Sequence, residues 1–201
     1  MSNENFIPMI GVDMLHYAKI TKDSAAEYTA ETPKRVSGLT EAGFNVNGQS
    51  ATFYADNGPY ETAAGLGEFS AAIACADVTP EMSADIYGYD YNAETGELSV
   101  DKLDPPYIAI QYRIQKSNGA YRYVTIYKAR AIPNEEKYTT SGGAINFATN
   151  GFSLKGAKRM KDGRIYRILD DDDQNLPVGV TPELIAAKWF TSVDWVIAAG
   201  E

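Results

Sequence analysis

Hydrophobic and polar positions alternate with a period of two along much of this chain, the mark of strands that bury one face. Met14 to Thr21 sets Leu15, Tyr17 and Lys19 against His16, Ala18 and Ile20, and Arg35 to Leu39 reads as a further short strand. Thr40 to Asn47 puts Ala42, Phe44 and Val46 on an inward side and Glu41, Gly43 and Asn45 on the other. Leu66 to Ala76 does the same with Phe69, Ala71, Ile73 and Cys75 against Glu68, Ser70 and Ala72. Between these two strands, Gly48 to Gly65 is polar, small and Gly-rich, which predicts a long loop near 48–65 with Tyr54 and Tyr60 inside it.

Tyr107 to Gln115 and Ala120 to Ile132 flank the turn Ser117-Asn118-Gly119, the clearest hairpin signal in the chain. In its second strand Tyr123 and Tyr127 oppose Val124 and Ile126, so both faces are bulky and the inward one is left open. Ala144 to Leu154, with Ile145 and Phe147 inward and Asn146 and Asn150 on the opposite face, and Arg164 to Leu169 supply further strands, with Asp162-Gly163 turning between them.

Thr79-Pro80-Glu81 starts a helix by a physical device: a hydroxyl that caps a free N–H, a proline at the first helical position, an acid at the positive end of the dipole. Gly88 ends it. Thr181-Pro182-Glu183 repeats the device ahead of Leu184 to Phe190, within a C-terminal helical segment near 181–197. About seven strands and one or two short helices predict a mainly β fold, a β-sandwich or flattened barrel, in one domain spanning residues 1–201. No repeat, low-complexity tract or Pro/Ser linker divides the chain.

Composition sharpens this picture. Hydrophobic residues at 44% and charged ones at 22% suit a folded chain, and fourteen tyrosines lean toward β-structure. The net charge of −9, with no Lys/Arg-dense stripe, argues against gripping nucleic acid through its phosphates. It is compatible with a wall past which a polyanion slides. Cys75, the only cysteine, excludes an intramolecular disulfide framework and reads as a small buried hydrophobe. Met1 to Pro8 lacks a secretory pattern and no apolar run approaches the ~20 residues of a membrane span, so a chain made and folded in a cytoplasm is expected.

Candidate chemistry is thin. Asp170 to Asp173, followed by Gln174 and Asn175, invites a calcium loop, but Leu176 falls where glycine is needed and Pro182 where a bidentate Glu belongs. A solvated acidic turn is expected instead. His16 is the only histidine and lies mid-strand without an elbow or oxyanion loop. Gly65-Leu66-Gly67 opens a strand rather than a helix, so it is no phosphate cradle. Lys155 to Lys161 reads as a solvated loop or an ion-pair surface between subunits. No catalytic, cofactor or metal residues are expected, and the chain reads as a non-enzyme.

The block from Phe53 to Gly88 carries a resemblance. Phe53-Tyr54-Ala55-Asp56, Tyr60, then Pro80-Glu81 through Asp85-Ile86-Tyr87-Gly88 are similar to the major tail tube proteins of long-tailed bacterial viruses, in particular the phi13-type group. Tyr87 stands where that pattern often has Leu. Gly11-Val12-Asp13, Tyr17-Ala18-Lys19, Tyr28, Thr32 to Arg35, Lys188-Trp189-Phe190 and Trp195 extend the likeness over most of the chain.

The resemblance implies a virion subunit, assembled in the host cytoplasm, that closes into hexameric rings. These stack into a tube around a tape-measure protein and later conduct DNA, with tail terminator and distal tail proteins at the ends. It further implies a four-stranded sheet per subunit lining the lumen. Joined to the alternation above, it makes Glu41, Asn45, Glu68, Ser70, Asn146 and Asn150 lumen-facing, a polar-to-acidic wall. Tyr54, Asp56, Tyr60 and Glu61 are expected in an inter-ring loop. Tubes of contractile or secretion particles, a standalone β-sandwich binding module and a carboxylate-dependent hydrolase are the competing readings.

Overall fold

The computed structural model describes residues 6–135, 140 and 149–197. The strands are β1 (Met9–Asp23), β2 (Tyr28–Ala30), β3 (Lys34–Arg35), β4 (Leu39–Ala55), β5 (Gly58–Cys75), β6 (Asp90–Asn92), β7 (Glu97–Ser99), β8 (Tyr107–Lys116), β9 (Tyr121–Pro133), β10 (Asn150–Gly156) and β11 (Tyr166–Asp170). Two short helices, α1 (Pro80–Tyr87) and α2 (Pro182–Lys188), join them, the second running into a 3-10 turn at Trp189–Thr191. The mainly β class is as expected. Strands exceed the expected number because β2, β6 and β7 are too short to show alternation; the strand expected over 35–39 is instead the two-residue β3 and the start of β4, with Gly38 at φ 80° breaking the strand between them.

Nine strands form one antiparallel sheet in the order β2-β1-β8-β9-β10-β5-β4, with β3 beside β1 and β11 beside β9. β6 and β7 make a separate small hairpin. One face of the large sheet closes over the main core, where Leu15, Phe69, Ile73, Ile110, Ile126, Phe152 and Leu154 are buried. Cys75 is fully buried, its thiol donating to the Asp77 carbonyl at 3.3 Å, as a small apolar residue of a core strand should be.

Helix α1 plugs this core with Met82, Ile86 and Tyr87. Thr79 caps it through Met82 N–H and Gly88 ends it at φ 74°, the left-handed conformation glycine adopts freely. Asp85 fastens the helix to the sheet, accepting from Tyr17 Oη at 2.8 Å, Lys19 Nζ at 2.8 Å and Lys34 Nζ at 2.6 Å. Burial pushes its carboxyl up, yet these three donors outweigh burial and hold it below the usual range.

The ambiguity of the second hairpin strand resolves because β9 is covered on both sides. Val124 and Ile126 enter the main core, whereas Tyr123 and Tyr127 lie on the opposite face under the C-terminal segment. There Trp189 is fully buried against Tyr123, ring centroids 5.4 Å apart, and its carbonyl accepts from Gln111 Nε2 at 2.8 Å. His16 is part of this cover, stacked on Phe190 at 4.4 Å with Nδ1 2.8 Å from the Met14 carbonyl. Met14, at φ 56°, is the extra residue of a bulge that turns Leu15 inward and His16 outward.

Two charged segments differ from expectation. The Asp170–Asp173 turn is not simply solvated. Lys116, almost fully buried, pairs with Asp170 at 2.9 Å and with Asp172, and Arg122 grips Asp170 at 2.6 and 2.7 Å. Asp171 is buried and accepts from Tyr121 N–H at 2.8 Å, so the turn clamps the β8–β9 hairpin. In the basic run, Arg159 is buried rather than exposed. It is held by Asp162 and Asp194 and lies 3.8 Å from the Tyr127 ring centroid, a cation desolvated but paired on three sides.

Candidate functional site

Three surfaces of β4, β5, β9 and β10 stand apart from the rest of the fold. The first is the outer face of these strands. Cross-strand register aligns Arg130, Lys155, Ser70 and Asn45 in one row, and Ile132, Ser153, Ala72 and Gly43 in the next. Gly151, Ala74 and Glu41 follow. Small side chains dominate, so the face is flat, and the C-terminal segment that covers β8 and β9 packs elsewhere.

Of the expected lumen-facing residues, Glu41, Asn45, Glu68 and Ser70 share this face. Asn150 does not. It pairs across from Cys75 and has the parity of buried Phe152 and Leu154, with Nδ2 3.4 Å from Asp77. The expected strand pattern placed odd-numbered residues inside at 145 and 147, and β10 buries even-numbered ones. Asn146, Ile145 and Phe147 lie outside the described residues. Ser153, Lys155 and Arg130 belong to the face and were missed, although the buried pair Phe152 and Leu154 would have fixed the parity. Lys155 and Arg130 share the face with Glu41 and Glu68 on other rows, so it is mixed in charge rather than acidic.

The second surface is an edge. β4 runs 17 residues and pairs only with β5 among the described residues, so its other side offers a row of free backbone donors and acceptors. No Pro interrupts it, and its single charge is Glu41.

The third surface is an arm. The segment near 48–65 is a two-stranded ribbon rather than the irregular loop expected, paired from Gly48↔Leu66 to Ala55↔Gly58. Asp56 and Asn57 adopt φ of 50° and 62°, the left-handed pair that a two-residue hairpin turn demands and that Asp and Asn tolerate. Its side chains are mostly small or polar on both faces, with Ala and Gly weak strand formers, which is why alternation did not reveal it. The ribbon leaves the body at a bulge beside Gly67, where a Cβ would sit 2.3 Å from the Asn47 carbonyl.

Beyond that bulge nearly every residue is exposed, and eight paired positions extend roughly 25 Å at ~3.3 Å per residue. At its end Phe53, Tyr54 and Tyr60 are 65%, 69% and 72% exposed, with the Phe53 and Tyr60 rings edge-on at 6.3 Å. Asp56 lies in the turn and Glu61 pairs across from Phe53; neither makes a salt bridge among the described residues. All four expected inter-ring residues are thus brought to one tip.

No cluster of three or more His, Cys, Asp or Glu side chains among the described residues has metal-binding geometry, and none of their helices is long and apolar enough to cross a membrane.

No protein family matches the chain, and no curated protein matches it. Among solved structures, the anti-feeding prophage cap, which terminates the tube of that particle, is similar over 85% of this chain and 99% of its own. The TM-score is 0.42 and the identity 9%, a likeness too distant to say what this chain does.

Proposed function

We propose that this protein is the structural subunit of a viral tail tube and performs no catalysis. Six copies close into a ring by pairing β4 edges with neighbouring sheets, so that the outer faces of β4, β5, β10 and β9 line a continuous channel. Rings stack through the arms into a hollow tube. A tape-measure protein and then DNA occupy the channel, tail terminator and distal tail proteins cap its ends, and the particle is assembled in the host cytoplasm.

One observation carries this reading: a flat face of small side chains, an edge unpaired among the described residues and an unsupported ribbon all meet on β4 and β5. An isolated two-stranded ribbon is marginally stable in water, and open edges promote association. Neighbouring copies satisfy both at once, by a ring in one direction and a head-to-tail stack in the other. Mixed, sparse charge on the channel wall gives a phosphate backbone little to grip. The order and spacing of the residues similar to tail tube proteins support the same reading.

Negative-stain microscopy of the purified, concentrated chain tests it. Rings or tubes with a stain-filled centre are expected. Isolated globules at every concentration, with monomer mass by light scattering, would overturn it in favour of a standalone binding module.

A further inference from the structure

One row of the bare sheet face carries two cations side by side. Register sets Arg130 directly opposite Lys155, with Ser70 and Asn45 completing the row. Both are exposed, and neither makes a salt bridge among the described residues, although most of the described Lys and Arg side chains do. Like charges directly opposite on a sheet stand about 5 Å apart and destabilise it. A chain of net charge −9 has carboxylates to spare, and among the described residues none is spent here.

The surroundings hold this pair in place without neutralising it. Tyr107 lies directly opposite Arg130 on β8, and the guanidinium sits 4.4 Å from its ring centroid, a stack that orients the planar fork. Lys128 stands over the same ring at 4.5 Å, but Asp23 engages it at 2.5 Å. Of the carboxylates on the face, Glu68 is one row away along β5 and Glu41 is two rows away in the other direction. A single positive band therefore crosses the face between two acidic positions. In the next row Ser153, Ala72 and Gly43 are small, so a polymer lying flat on the face can reach both cations.

We infer that Arg130 and Lys155 contact the phosphate backbone of DNA lying across this face. The inference rests on the channel reading above and names the part of the wall that touches the polymer. A phosphodiester supplies the charge both cations lack, meeting a bidentate fork at Arg130 and a point charge at Lys155. Backbone contacts carry no sequence information, and two per copy beside two carboxylates grip weakly, which suits a polymer that has to move. An acidic protein carries the same sign of charge, but protein partners gain most of their affinity by seating large side chains in pockets. A phosphate backbone needs only charge presented on a flat wall.

The test uses the dilute, unassembled chain, whose face is open, and a fluorescein-labelled duplex of mixed sequence. Anisotropy titrations between about 20 and 200 mM salt are expected to give a log–log slope of affinity against salt near −2, the value for two phosphate contacts. Arg130→Gln and Lys155→Gln are each expected to reduce that slope by about 1 with the melting temperature not lowered, and the double variant to abolish binding. Amine acetylation read by mass spectrometry locates the contact: DNA is expected to protect Lys155 about tenfold and to leave exposed Lys102 and Lys188 unprotected. No binding, a slope the two variants leave unchanged, or equal protection of all three lysines overturns the contact. So does poly-glutamate protecting Lys155 better than DNA at equal charge, which would assign the row to an acidic protein. Any of these results in a chain that forms tubes removes the DNA contact and leaves the tube reading standing. A chain that never forms tubes ends the tube reading and the channel placement together, whatever Lys155 does.

Discussion

Two hairpins of the same sheet make opposite use of one motif. β8–β9 buries Ile110, Tyr112, Val124 and Ile126 on one side and Tyr123, Tyr127 and Gln111 on the other, and its turn is clamped by Asp170 and Asp172. β4–β5 has a covered face only as far as Val46 and Phe69, and beyond that, among the described residues, nearly every position on both faces is exposed. Large β-branched and aromatic residues mark the hairpin that finishes its packing within the monomer. Ala, Gly, Ser and Thr, with aromatics only at the far end, mark the hairpin whose packing is left to other copies. The contrast separates residues that hold the fold from residues that hold the assembly.

Breaking each side should have distinct readouts. Removing residues 50–62 is expected to abolish long tubes while the shortened chain stays a folded monomer with a near-native melting temperature. Unchanged tubes would collapse the distinction. On the other side, Trp189→Ala is expected to cost about 3–5 kcal/mol of monomer stability, because a fully buried ring against Tyr123 leaves a cavity. Chemical denaturation checks this, and a loss under ~1 kcal/mol would mean the C-terminal segment is not part of the fold's support.

Asp85→Asn comes next, at about 1–3 kcal/mol, since Lys19 and Lys34 lose their shared partner at a site still partly open to solvent. The same contact gives a pH signature. A carboxyl held below its ordinary range contributes fully above pH ~4, and that contribution is lost as pH falls through the native value. Arg159 likewise holds Asp162 down to about 2, so stability should decline between pH ~4 and ~2. Asp171, pushed up by burial, works in the opposite sense, and its gain on acidification comes above pH ~4, ahead of the decline. Asp85→Asn should flatten the profile; an unaltered one would remove Asp85 from the account. The smallest monomer effects belong to the bare surfaces, where Tyr60→Ala or Glu41→Lys should change stability by within about 0.5 kcal/mol. A larger cost would show that the arm or face packs within the monomer.

Where side chains are large, the sequence already spells out this structure. Both helix caps and the β8–β9 turn follow from local chemistry at Thr79, Gly88, Thr181 and Asn118-Gly119. The arm was hidden because its strands bury nothing and so show no alternation; only Asp56-Asn57, a turn pair, hinted at pairing. Asn150 was misplaced because parity carried over from residues 145 and 147 does not hold in β10, where 152 and 154 are the buried pair. Arg159 was taken for a surface charge within the 155–161 run because one of its partners, Asp194, lies 35 residues away in sequence.

Cryo-electron microscopy of the concentrated chain, taken to a resolution that separates strands, tests the central claim most directly. The account predicts a hollow six-fold ring in which Asn45, Ser70, Ala72 and Ser153 face the channel and each arm reaches the adjacent ring. A map with that face turned outward to solvent, or with the arm folded back on its own subunit, would contradict it.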